Sequence, residues 1–384
     1  MRKRPLRIAI LGSRGIPASY SGYETVAEEL SSGLLAEGYD VYVSCESNRY
    51  RPKLSTYRGV RLVYFPVIDS IRSISEVAVY DALSVFWASL VADVIYMLAY
   101  TSILTLIFPR MLRKVVIVNV DGIEWRRPKF NRLLRFALRS FEILATKIAD
   151  YIVVDSYTIG RFYQGNYGAA SFYVPNGIRE IEPASADHLR DYGLDKQGYY
   201  LVIARLVPDN NIDLIIEGFK RSASNRKLVI VGRLDRSTRS TRKYAARLLR
   251  EKSDSVVLTG GVYEPSMQRM LRHNCFAYIH GQCMGGTNPS LVEALSCRNL
   301  ILAIDVPPNR EVAEACAIYF KKDPEDLARK IHLLEHASDM SEMRNGAYEL
   351  YARKYTVQHA VKLFVRLLER IGKNQAGGNL ADRD

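Results

Sequence analysis

Short apolar runs alternate with amphipathic stretches along nearly the whole chain. Leu6–Leu11 is apolar except for Arg7, the pattern of a strand buried on both faces. A glycine-punctuated loop, 12–17 (GSRGIP), leads through Gly22 into a stretch with Val26, Leu30 and Leu34 on one helical face. Gly38 stops that helix, and Val41–Ser44 starts the next strand. Strand, loop, helix, strand predicts a βαβ unit with parallel strands and a right-handed crossover. The alternation continues with strand Val60–Phe65, a helix over 76–91, strand 94–99 and strand Val115–Val120. A basic amphipathic helix over 130–148 and strand Tyr151–Asp155 follow. From 173 to 187 the pattern lapses into Pro175, Asn176, Gly177 and Pro183, which marks a linker.

A second series begins beyond it. Its strands are Tyr199–Ala204, Lys227–Gly232, Ser255–Thr259, Cys275–Ile279, Leu300–Ile304 and Ile318–Phe320. Helices are predicted over 211–221, 238–252, 264–273, 288–297, 309–316 and 323–336. Pro265, Pro289 and Pro324 each sit at a first helical turn, where proline is tolerated. Helices over 339–353 and 356–372 follow. The fold class is therefore α/β, with two doubly wound Rossmann-like domains over 1–182 and 183–355, the helix 356–372 packing back on the first. Ligands of such sheets bind beyond the carboxyl ends of the strands, so the expected site is the cleft between the domains.

The composition agrees with two packed domains. The 384 residues are 48% hydrophobic and 25% charged, with a net charge of +13 that favours anionic partners. Five cysteines, none in a CxxC pair, give neither a disulfide framework nor a zinc site. The region 77–109 is the most hydrophobic, but its longest uncharged piece, Val94–Phe108, is shorter than the roughly 20 residues that cross a bilayer. It reads as a buried helix plus a buried strand. The apolar run after the basic start is too short for a signal peptide, so a cytoplasmic protein is expected.

Three loops carry chemistry. Gly12 and Gly15 stand where a phosphate-binding turn belongs, after the first strand and before the first helix. Their spacing is not G-x-G-x-x-G, although Glu46 could act as a ribose-binding acid. The loop 280–293 (HGQCMGGTNPSLVE) runs from a strand into a helix capped by Thr287 or Asn288. The N–H groups of Gly285 and Gly286 there suit a diphosphate, His280 is placed to orient its phosphates, and Glu293 is placed to accept from ribose hydroxyls. Arg205, closing the first strand of the second domain, can grip a diphosphate and oppose charge on a leaving group.

These residues resemble the retaining GT-B glycosyltransferases of the family 4 type. Residues 174–178 (VPNGI) look like that group's linker, 204–208 (ARLVP) like its G-R-L-x-P strand, and Gly285–Glu293 like its E-x7-E donor segment. Residues 12–25 (GSRGIPASYSGYET), 121–129 (DGIEWRRPK), 286–291 (GTNPSL) and 309–312 (NREV) are similar to a narrower subgroup of rhamnosyltransferases of polysaccharide assembly. Two positions depart from the broad family. Gly285 stands where the first glutamate belongs, and Asn210 where a lysine partner of the arginine belongs. Arg14, Arg233 and Arg310 are the cations that could replace that lysine.

The resemblance implies transfer of a hexosyl group, rhamnosyl by the narrower subgroup, from a nucleoside-diphosphate sugar to a glycan or lipid-linked acceptor. It further implies retention, with no cofactor and no metal. Asp121, at a strand end, is the candidate carboxylate facing the reacting centre, with Glu124 second. Tyr20, Tyr23, Glu24 and Trp125 are placed on the acceptor side, and Asp155 and Ser156 border the cleft. Residues 110–139 hold nine Lys and Arg against Asp121 and Glu124, which suits peripheral docking on an anionic membrane at its inner face. Two other readings remain. A nucleotide-cofactor oxidoreductase or epimerase would need a Tyr-x-x-x-Lys pair as well as the missing glycine motif. A non-catalytic basic protein would bind nucleic acid, for which no recognition module is apparent.

Overall fold

A computed structural model describes residues 4–18, 22–67, 74–120, 122–126, 132–235, 238–262 and 264–376, the side chains of 74–78 and 374–376 excepted. Asp121 and Tyr20 thus lie outside the described residues. The chain forms two compact units, Met1–Arg179 with Thr356–Asp384, and Glu180–Tyr355.

In the first unit the order is β1 (Arg7–Leu11), α1 (Gly22–Ala36), β2 (Asp40–Glu46), β3 (Thr56–Tyr57) and β4 (Val60–Phe65). Then come α2 (Ile74–Val91), β5 (Val94–Met97), α3 (Ile107–Met111), β6 (Val115–Asn119) and α4 (Arg132–Ile148). β7 (Tyr151–Val154), α5 (Tyr157–Tyr167) and β8 (Ser171–Tyr173) complete this stretch. The sheet runs β3-β4-β2-β1-β5-β6-β7-β8, parallel throughout except for the β3–β4 edge. Every residue of β5 and β6 is buried, as expected of parallel strands covered by helices on both faces. The order reverses between β1 and β5, so their carboxyl ends open the crevice of this unit.

The second unit holds β9 (Tyr199–Ile203), α6 (Ile212–Ser222), β10 (Lys227–Val231), α7 (Arg239–Arg250), β11 (Val256–Gly260) and α8 (Pro265–Asn274). It continues with β12 (Ala277–His280), α9 (Pro289–Ser296), β13 (Leu300–Ile304), α10 (Pro307–Ala313), β14 (Ile318–Phe320), α11 (Pro324–Glu335) and α12 (Ser341–Lys354). Its six parallel strands are ordered β11-β10-β9-β12-β13-β14. This is the 3-2-1-4-5-6 arrangement of nucleotide-binding sheets, which reverses between β9 and β12.

The last helix, α13 (Val357–Ala376), belongs to the first unit. Val361, Phe364 and Leu368 share a core with Ala27, Leu30 and Leu34 of α1, and the Phe364 ring lies 4.8 Å from that of Tyr96. A side chain at Gly177 would come within 2.8–3.0 Å of Ala360, Val357 and Thr356, so glycine there lets the chain pass against the start of α13.

The structure corrects one expectation about the apolar region. β5 is fully buried, but α2 is not: Leu83, Phe86 and Leu90 are exposed on its outer side. From Val79 onward the polar side chains of α2 instead turn inward, Tyr80, Asp81, Ser84 and Ser89 all being buried. Asp81 is 1% exposed; its Oδ2 accepts from Ser102 Oγ, and its Oδ1 has no hydrogen-bond partner among the described residues. Burial pushes its pKa from 3.8 up to about 7. The folded chain therefore keeps a proton on Asp81 that the unfolded chain releases near pH 3.8. The resulting stability is full below about pH 4 and is lost as pH rises through about 7. Urea midpoints measured across that window should fall in the parent and flatten in Asp81→Asn. Equal slopes would remove Asp81 as the cause.

Candidate active site

At the reversal point of the second sheet two loops meet. After β9 the chain passes Arg205 and turns through a single 3₁₀ turn, Pro208–Asn210, into α6. After β12 it crosses 281–288 into α9, whose first turn is capped by Asn288 accepting from Ser290 N at 2.9 Å. Asparagine amides brace these loops, and one of them joins the two. Asn210 Nδ2 donates to the Arg205 carbonyl at 2.6 Å, Asn211 Nδ2 to the Gly281 carbonyl at 2.7 Å, and Asn309 Nδ2 to the Gln282 carbonyl at 2.9 Å. Buried backbone carbonyls are thereby satisfied without regular structure, and the loops are held in one geometry.

Within this frame some groups are left open. Arg205 is exposed, and its guanidinium has no partner among the described residues. Arg233 follows β10 and is also exposed and unpaired among the described residues. The two are register neighbours, because Leu206 bridges Leu234 and its N–H donates to the Arg233 carbonyl at 3.3 Å. The N–H groups of Gly285 and Gly286 likewise have no acceptor among the described residues. Gly285 has φ +110°, a conformation glutamate adopts only with strain, so the backbone itself fits the departure at this position. Thr287 is buried, and Asn288 is the cap.

Beneath the loop lies an ion pair. Arg272 on α8 is 1% exposed and donates to the carboxylate of Glu293, which is 24% exposed; its Nη1 also reaches the Ser290 carbonyl at 3.4 Å. His280 is buried at the end of β12, stacked on Tyr278 with ring centroids 6.0 Å apart. Burial, reinforced by the Arg272 charge, lowers its pKa to about 3. The imidazole is therefore neutral at ordinary pH and adds no positive charge to the loop.

In the first unit, the loop after β1 is packed tightly. Gly15 donates its N–H to Ser13 Oγ at 3.3 Å, and its Cα lies against Cys45. Gly12 is wedged against Met97 and Leu98 at the end of β5. Glu28 of α1 accepts from Ala18 N at 2.7 Å and holds the far side of the loop. Glu24 is fully buried in the first turn of α1, and Tyr23 packs on the core. Glu46, the acid a dinucleotide site would require, is paired with Arg49.

Glu124 and Trp125 sit on a 3₁₀ turn, Glu124–Arg126, held by one buried carboxylate. Glu142 of α4, fully buried, accepts from Trp125 Nε1 at 3.1 Å, Tyr100 Oη at 3.3 Å and Tyr167 Oη. Tyr100 Oη in turn accepts from Glu124 N at 3.1 Å. Burial raises the Glu142 pKa, and the three donors oppose that rise.

Two family models match the sequence. Residues 6–177 match a domain of unknown function, DUF1972, and residues 186–350 match glycosyl transferases group 1. The chain is a glycosyltransferase with a group 1 domain. A comparison with curated proteins finds no significant match. Among solved structures, sucrose-phosphate synthase from Thermosynechococcus elongatus is similar with TM-score 0.81 at 12% identity, over 96% of this chain and 99% of that one. HepE of Anabaena in complex with UDP-glucose gives 0.76 at 14% identity, over 95% and 100%. An E. coli trehalose-6-phosphate protein bound with UDP-2-fluoro glucose gives 0.73 at 10%, over 94% and 98%. These likenesses establish the GT-B fold.

In this glycosyltransferase the residues expected to bind the donor fall into three groups. Arg205, Gly285, Gly286, Thr287, Asn288, His280 and Glu293 gather at the reversal point of the second sheet, whereas Gly12 and Gly15 stand in the first unit, where Gly15 has already used its N–H. Asn210 is buried and holds the loop. Of the substitute cations, Arg310 is neutralised by Asp305 at 2.5–2.8 Å, whereas Arg233 has no acidic partner among the described residues. Asp155 accepts from Asn176 Nδ2 at 3.0 Å and Ser156 caps α5, so both have structural tasks. Reading the sequence did not single out Arg272, Glu28 or Glu142, whose partners are 21, 10 and 17–42 residues away in the chain.

Proposed function

We propose that the enzyme transfers a hexosyl group, with rhamnosyl the favoured sugar, from a nucleoside-diphosphate donor to a glycan or lipid-linked acceptor in polysaccharide assembly, and retains the anomeric configuration. The observation that carries the donor class is the pairing of two unneutralised guanidiniums, Arg205 and Arg233, with the open N–H groups of Gly285 and Gly286 at a nucleotide-type strand reversal. Departure of a diphosphate builds negative charge on its β-phosphate, and fixed donors of this kind lower that barrier. Arg233 supplies the second positive charge that Asn210 does not. Two arginines meet the charge requirement directly, so we read the reaction as independent of metal and cofactor. Similar structures in complex with UDP and with UDP-glucose support the same donor class. A membrane-borne acceptor places the enzyme at the cytoplasmic face of a bilayer. Glu124 and Trp125, fixed through Glu142, then belong to the acceptor side.

Thermal unfolding with a ligand panel tests the donor class. A nucleoside diphosphate at about one hundred times its Kd should add about 2.7 kcal/mol, while NAD(P) and oligonucleotides add nothing. Stabilisation by NAD(P) or oligonucleotide alone would overturn the proposal. Donor hydrolysis compared across dTDP-, UDP- and GDP-sugars then identifies base and sugar.

A further inference from the structure

Among the described side chains, Val79–Val91, the outer face of α2 carries no charge. From Val79 to Val91 its exposed side chains are Ala82, Leu83, Phe86 and Leu90, spaced so that they form one stripe along the helix. The ionisable side chains of this stretch, Tyr80 and Asp81, are 3% and 1% exposed. The stripe extends onto the neighbouring segment. The 3₁₀ turn Ile103–Leu106 and α3 both touch α2, the Phe108 ring stacks on Phe86 at 5.1 Å, and Leu104, Ile107 and Met111 are exposed beside it. So large a contiguous apolar surface on a folded unit marks a place of contact.

Its border is cationic. Arg113 is exposed beside Met111, and α4, which touches the same 3₁₀ turn, presents Arg132, Arg139 and Lys147 together with the exposed Leu133 and Phe136. Among the described residues from 79 to 148 no carboxylate is exposed: Asp81 and Glu142 are buried, Glu124 is half-buried, and Asp93 is held by Arg4 and Arg7. An apolar stripe edged by cations, with no exposed anion among the described residues, complements a bilayer with anionic headgroups. The aliphatic and aromatic groups enter the acyl boundary while guanidiniums meet phosphates. No described helix is long and apolar enough to cross a membrane, so the surface lies on the bilayer rather than through it.

We propose that the outer face of α2 and α3, flanked by α4, docks the enzyme on an anionic lipid bilayer. The inference rests on the membrane-borne acceptor only for its purpose; the surface is tested without acceptor or donor. The full chain is sedimented with vesicles of phosphatidylcholine alone and with vesicles that also contain phosphatidylglycerol. Binding should require phosphatidylglycerol and weaken as salt is added. The double variant Phe86→Glu, Leu90→Glu changes only exposed side chains, and it should lower the partition coefficient at least about tenfold. Leu333→Glu, at an exposed leucine of α11, should leave it unchanged. Donor hydrolysis by the double variant should match the parent, which separates failure of docking from failure of the donor site. Equal vesicle binding by parent and double variant would overturn the proposal, and so would no binding to either vesicle. A dimer by light scattering that the double variant splits, with vesicle binding unchanged, would assign the face to a second copy of the chain instead.

Discussion

Arg205→Ala should lower the rate of donor cleavage by about 10²–10³-fold while leaving the unfolding temperature where it is. Removing one preorganised donor from a developing anion costs on that order, because a water-excluded site offers no replacement for it. Stability should hold because the guanidinium is exposed and has no protein partner among the described residues, so truncation orphans nothing. Arg205→Lys should recover only part of the rate, since an ammonium cannot bind two phosphate oxygens in the plane of a fork. Arg233→Ala should act in the same direction, and the double variant should lose less than the product of the two effects, as neighbouring charges on one anion do. Arg310→Ala should change little, because Asp305 already neutralises it. Steady-state turnover and thermal unfolding of the same samples decide the matter. A turnover within about threefold of the parent for Arg205→Ala would place the leaving-group charge elsewhere.

Glu293→Ala has a different expected result. Its first effect should be on the fold, with a loss of about 3–5 kcal/mol, because it strands the guanidinium of a fully buried Arg272 without its counter-charge. For a unit of this size that lowers the melting temperature on the order of 10 °C. Glu293→Gln, which keeps a carbonyl oxygen near Arg272, should recover part of the loss. A paired replacement, Arg272→Met with Glu293→Leu, should restore much more, since well-packed apolar groups replace buried ion pairs at little cost. If that double variant melts like the parent yet no longer binds nucleoside diphosphate, Glu293 has a ligand role beyond its structural one. Unchanged melting of Glu293→Ala would show that Arg272 finds compensation elsewhere.

Much of the fold is legible in the sequence because parallel strands buried on both faces are written as continuous apolar runs. β6 and β13 are found within one residue of their expected limits for that reason. The elements that went unread are short or locally ambiguous: β3 has two residues, β8 has three, and α5 mixes Tyr, Gly, Asn and Gln with only Ile159 and Phe162 as aliphatic or phenyl side chains. The region around α2 misled in another way, since hydrophobicity alone does not distinguish an apolar face turned to the core from one turned outward. For the candidate site, loops between strand and helix announce themselves through glycine and proline, so Arg205 and the 280–293 loop were legible. Glu142 and Arg272 were not. A buried charge in an amphipathic helix looks like any surface charge until the fold brings its distant partners to it.

α13 has a consequence for how the protein is made. The groove between α1 and the first sheet is filled by residues encoded after those of the whole second unit. On the ribosome, the amino-terminal half must therefore wait with Leu30, Leu34 and Tyr96 uncovered while some 176 residues of the second unit are translated, roughly 10–35 s at ordinary elongation rates. The second unit is an insertion that can close first. Exposed apolar surface held for that long recruits chaperones, and a chain stalled before Val357 should bind them persistently.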